Sequence, residues 1–92
     1  MVKNIRRDLV IRMKNRMLAE DIVEQFIKQI VVNLDRGGAK EFIDSEKLTL
    51  GIEDKEVICD KENNTISLDN EVFSYDFSHV KNLCLSLLQD RF

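Results

Sequence analysis

The chain has no proline, no tryptophan, three glycines, two cysteines and one histidine in 92 residues. Without proline and with so little glycine it cannot be a linker, a collagen-like repeat or a disordered tail. Its 43 % hydrophobic and 34 % charged residues match a packed chain rich in regular structure. Cys59 and Cys84 lie far apart with no neighbouring histidine cluster, so neither a zinc ligand set nor a disulfide framework is legible; both read as small buried apolar residues. No stretch approaches the ~20 apolar residues that cross a bilayer. The N-terminus lacks the apolar run and small-residue cleavage site of a secretory signal, so a cytoplasmic location without a membrane is expected.

What the chain does have is length for one core and a marked charge asymmetry. Ninety-two residues sit below the usual size of a two-domain protein, so residues 1–92 are expected to form a single domain. Lys3, Arg6, Arg7, Arg12, Lys14 and Arg16 against Asp8 alone give the first 16 residues a charge of +5, which leaves −8 for the rest of a chain whose net charge is −3.

Apolar residues recur at Val2, Ile5, Leu9 and Met13, then at Val23, Phe26, Ile27, Ile30, Val31 and Leu34. This is the three-and-four spacing of an amphipathic helix. One continuous helix would be about 50 Å long, against a radius of gyration of ~12–13 Å for a compact domain of this size. Residues 1–36 are therefore expected either to break into two helices near Asn15–Glu20 or to protrude and be covered by another chain. Met17, Leu18 and Ile22 lie off the main stripe and give the region apolar surface on a second side. Gly37 and Gly38 read as the helix stop, followed by a short linker.

Alternation then takes over across residues 46–76. Leu48, Leu50 and Ile52 share a face, Val57 and Cys59 repeat it, and so do Ile66 with Leu68 and Phe73 with Tyr75. The connections at residues 53–55, 61–64 and 69–70 carry turn-forming types, which predicts a three- or four-stranded antiparallel meander. Asp76 is a candidate N-cap for a final amphipathic helix over residues 77–92, with Phe77, Val80, Cys84, Leu87, Leu88 and Phe92 on one stripe. The expected fold class is α+β: a long N-terminal helix or helix pair, the meander, and a C-terminal helix packed on the sheet.

Local motifs give way to simpler explanations. Asp60, Glu62, Asn64 and Glu71 have the spacing of a calcium-binding EF-hand loop, but Thr65 stands where that loop needs glycine and strands flank it, so a polar hairpin is expected. Asn63, Asn64 and Thr65 spell a glycosylation sequon, which carries no weight without a secretory signal. His79 falls near a helix N-terminus, where a positive imidazole is disfavoured, and no nucleophile, base and orienting acid are legible around it. Gly37 and Gly38 lack the preceding strand and following lysine of a phosphate-binding loop. No enzyme and no cofactor are expected.

Two functions fit these residues. The first is a non-enzymatic protein-interaction module, an adaptor, inhibitor or assembly subunit acting as a homodimer, with Met13, Met17, Leu18 and Ile22 as candidate interface residues. The alternative is a small dimeric DNA- or RNA-binding protein whose Lys3, Arg6, Arg7, Arg12, Lys14 and Arg16 contact phosphates. Against the alternative, no aromatic residue interleaves with the cations for base stacking, and the acidic remainder would repel a phosphate backbone.

Overall fold

Residues 2–33 contain neither glycine nor proline, and in the computed structural model they form one unbroken helix, α1 (Val2–Asn33). The structure describes the backbone of residues 2–52 and 54–89, and the side chains of residues 10–51 and 54–89. The side chains expected on the core stripe at Val2, Ile5 and Leu9, that of Ile52, and Phe92 lie outside it. After α1 come α2 (Arg36–Asp44), β1 (Lys47–Ile52), β2 (Lys55–Asp60), β3 (Thr65–Leu68), β4 (Glu71–Ser74) and α3 (Ser78–Leu88). The class is α+β, with the sheet an antiparallel meander in the order β1-β2-β3-β4.

The register confirms the alternation read from sequence. Leu48 pairs with Cys59, Cys59 with Ile66 and Ile66 with Phe73, so one row of buried apolar side chains crosses all four strands. Leu50, Val57 and Leu68 extend the same face, against which α1 contacts every strand. On the other face the row Thr49, Ile58, Ser67 and Val72 carries the exposed Ile58 and Val72. Asp69 and Asn70 both take positive φ, 50° and 65°, the geometry of a tight hairpin turn.

The structure decides one open alternative in the helical region and corrects two expectations. First, residues 2–33 are one long helix rather than a pair, with no break at Asn15–Glu20. It spans about 48 Å at ~1.5 Å per residue, giving extents of 56 × 24 × 18 Å and a radius of gyration of 14.9 Å, above the compact-domain value. Second, Gly37 and Gly38 do not end it. Leu34 does, with φ 48°, while the Asp35 amide donates to the Ile30 carbonyl at 3.1 Å and closes the turn. Third, the linker is a helix. Gly37 and Gly38 lie in the first turn of α2, and the Gly38 amide donates to the Asp35 carboxylate at 2.9 Å. A Cβ on Gly38 would lie 2.6 Å from the other Asp35 oxygen, so this cap fits glycine.

The core stripe is also narrower than the spacing suggested. Val23, Ile27 and Ile30 are buried, but Val31 and Leu34 are exposed and so is Met13. At ~100° per residue Met13 and Val31 have rotated off the face that meets the sheet, while Leu34 is exposed because α1 ends at Asn33 and Leu34 leaves the helical conformation at φ 48°. A left-handed leucine at an exposed helix end is a strained choice. Leu34→Gly is expected to raise stability by about 0.5–1 kcal/mol, seen as a higher urea midpoint at unchanged slope. A lower midpoint would mean that the leucine side chain contributes packing that outweighs its backbone.

The second layer is completed by α2 and α3, which pack on each other. Phe42 from α2 sits with its ring centroid 6.0 Å from both Phe26 of α1 and Phe77. Val80, Cys84 and Leu87 of α3 join the same cluster. Phe77 holds the N-cap position itself, and Asp76 serves the first turn by accepting the Ser78 amide at 3.0 Å. That contact holds the Asp76 carboxyl below its usual range.

Candidate interaction surface

The buried positions of α1 with described side chains begin at Ala19 and continue through Ile22, Val23, Ile27 and Ile30. Before Ala19 the described side chains of the helix leave the body of the sheet and meet its edge, at β4. There Arg12 lies 3.6 Å from the Glu71 carboxylate, donates to the Val72 carbonyl at 3.4 Å and places its guanidinium 5.2 Å over the Phe73 ring. Asn15 donates to Glu71 at 2.7 Å. These polar contacts fasten the helix to β4 and occupy part of an otherwise open strand edge.

The far side of the same turns is apolar and uncovered. Val10 is 49 % exposed, Ile11 48 %, Met17 63 % and Leu18 37 %. Of the four interface residues expected from sequence, Met17 and Leu18 lie on this surface, and Met13 is exposed on the flank beside Val72 and Ser74 of β4. Ile22 does not: it is 3 % exposed and belongs to the core, because one turn further along α1 is already against the sheet. Val10 and Ile11 were not anticipated. Their signal is that Val10 and Ile11 stand seven residues before Met17 and Leu18, which returns them to the same side of the helix two turns earlier.

The cations of the nucleic-acid alternative are dispersed among different partners. The side chains of Lys3, Arg6 and Arg7 lie outside the described residues. Arg12 is engaged with β4, and Arg16 pairs with Glu20 at 2.9 Å. Lys14 is exposed on the uncovered side, without an ion pair among the described residues. Two of the six cations are therefore already directed to carboxylates of the same chain.

A cleft of about 450 Å³ opens between the end of α2, the β2–β3 turn and the start of α3. Its central cation, Lys61, donates to the carbonyl oxygens of Phe42 and Ile43, the latter at 2.9 Å, and lies 5.0 Å over the Phe42 ring. Lys61 thus caps the carbonyl end of α2, where a positive charge is favoured by the helix dipole. Burial, with Lys81 nearby, lowers its pKa. Asp44, Glu46, Glu62 and Lys81 complete a rim of mixed sign.

In the EF-hand-like segment, Asp60 accepts the Asn63 amide at 3.2 Å and the Asn63 side chain at 2.9 Å, so its carboxylate is committed to the turn. Among the described residues no three His, Cys, Asp or Glu side chains group to hold a metal. His79 is exposed, and Cys59 and Cys84 are free and buried. No helix among the described residues is long and apolar enough to cross a membrane. The chain matches no protein-family model, no curated protein and no solved structure.

Proposed function

We propose that this chain is a non-enzymatic protein-interaction module that works as a homodimer in the cytoplasm, as an adaptor, inhibitor or assembly subunit. The observation that carries the proposal is the uncovered apolar side of α1 before Ala19. Four large apolar side chains, Val10, Ile11, Met17 and Leu18, on two successive turns are an expensive surface to leave in water at ~25 cal/mol per Å². Their helix is held in place by Arg12 and Asn15 rather than by burial of that side. A second helix laid along it would bury both copies of the same surface, the isologous arrangement of a two-fold dimer.

The experiment is light scattering at low and high salt with absorbance at 260 nm recorded. The expected mass is that of a dimer, retained in salt and free of nucleic acid. Met17→Asp combined with Leu18→Asp is expected to give a monomer that keeps its helical circular dichroism, because neither side chain belongs to the core. A wild-type monomer at every concentration and salt would refute the dimer. Nucleic acid that co-purifies and is shed in salt would instead favour phosphate contact by the basic segment.

A further inference from the structure

Resting on the homodimer proposed above, we infer that the two α1 helices pair antiparallel, with Lys14 of each copy on the two-fold axis. Three constraints lead there.

The first is the face. Val10, Lys14, Met17 and Asp21 follow the 4-3 spacing on the side of α1 away from the sheet, and all four are exposed. Ile11 and Leu18 flank Lys14 on one side of this seam, as Val10 and Met17 do on the other. The apolar residues are thus arranged symmetrically about position 14, three and four residues away in each direction.

The second is the packing that this symmetry creates. A two-fold axis through position 14 relates residue i of one helix to residue 28 − i of its partner. Val10 then packs beside the partner's Met17 on one side of the axis, and Ile11 beside the partner's Leu18 on the other. Each of the four apolar side chains finds an apolar neighbour, and each contact occurs twice.

The third is charge. Along the seam stand Lys3, Arg7, Lys14, Asp21, Glu24 and Lys28. A parallel in-register pair sets every one of these against its own copy, like against like at each level. The antiparallel pair centred on position 14 places position 7, an arginine, opposite position 21 of the partner, an aspartate. Asp21 is exposed, whereas Glu24 already accepts the Tyr75 hydroxyl at 3.0 Å within its own copy. The +5 segment of one copy therefore lies along acidic positions of the other, and the like-charge contact on the axis is Lys14 against Lys14. Lys14 stands between the four apolar residues, and a polar residue at the centre of an apolar helix contact fixes register at some cost in affinity.

Cysteine crosslinking tests the register in the full chain. The native Cys59 and Cys84 are both 0 % exposed, so an introduced surface thiol reports alone. A disulfide needs Cα atoms within about 4.4–6.8 Å. Under mild oxidation Lys14→Cys is expected to link to its own copy across the axis. Val10→Cys is expected not to, because its two copies stand about 12 Å apart along the helices at ~1.5 Å per residue. A mixture of Val10→Cys and Met17→Cys is expected to give the mixed dimer.

Self-linkage of Val10→Cys, Lys14→Cys and Met17→Cys alike would show a parallel pair and overturn the inference. A dimer by light scattering in which Lys14→Cys does not link would overturn the register while leaving the homodimer standing. A monomer by light scattering would remove both. Circular dichroism of each variant confirms that a negative result comes from folded protein.

Discussion

Phe42→Ala is expected to lower the stability of the fold by about 3–5 kcal/mol, a large part of the roughly 5–15 kcal/mol that holds a domain of this kind together. The magnitude follows from what the ring joins. Phe42 is 1 % exposed, and its neighbours Phe26 and Phe77 come from α1 and from the cap of α3. It is the contact through which α2 and α3 are held to the helix that lies on the sheet. Removing the ring leaves a cavity among elements that cannot close on it without shifting α2, and it takes away the aromatic face under the Lys61 ammonium. Phe42→Leu keeps most of the volume and is expected to cost distinctly less. Urea denaturation of both variants checks the ordering. A loss below about 1 kcal/mol for the alanine would mean that α2 and α3 unfold apart from the sheet and that Phe42 does not couple them.

That residue also marks the limit of what the sequence made legible. The strands were readable because one face of the sheet is buried and the other is open, so Leu48, Cys59, Ile66 and Phe73 recur at every second position with their strand neighbours on the other face, even where those neighbours are the apolar Ile58 and Val72. The final helix was readable for the same reason, through Val80, Cys84 and Leu87. The helix α2 was hidden by Gly37 and Gly38, which resemble a stop, although Ala39, Phe42 and Ile43 behind them have helical spacing. What decides the matter is Asp35, whose carboxylate caps a helix that begins at the very glycines expected to end the previous one.

For the interaction surface, periodicity found Met17 and Leu18 but also admitted Met13 and Ile22, because apolar spacing cannot say where along a helix the sheet ends. Arg12 and Asn15 carry that information through their contacts with Glu71, a long-range pairing that no local pattern reveals. The recurrence of Val10 and Ile11 at Met17 and Leu18, seven residues on, was present in the sequence. It became meaningful once the opposite face was known to be occupied.

The second large effect expected is a loss of about 2 kcal/mol of stability between pH 9 and pH 11, arising at Cys59. The thiol is fully enclosed in the middle of the buried row between Leu48 and Ile66, and burial pushes its pKa up from 9.0 to about 11. Below pH 9 the thiol is neutral whether the chain is folded or not, so its contribution is complete. Above that, the unfolded chain gives up the proton while the folded one holds it, and each pH step favours unfolding until the folded pKa is reached. Cys84 and Tyr75 act in the same direction. Burial raises both, and Tyr75 is raised further by donating its hydroxyl hydrogen to Glu24 at 3.0 Å.

Lys61 opposes them. Its lowered pKa means that the folded chain releases this proton before the unfolded one does, so its contribution rises with pH in the window just below 10.5. Cys59→Val separates the terms, since valine nearly fills the same space and cannot ionise. Its urea midpoint is expected to match the wild type within a small offset at neutral pH and to fall much less steeply between pH 9 and pH 11. If the two alkaline limbs run parallel, the alkaline loss belongs to Tyr75 and Cys84 and the thiol of Cys59 ionises as easily folded as unfolded. That outcome would require water to reach the centre of the sheet face that α1 covers.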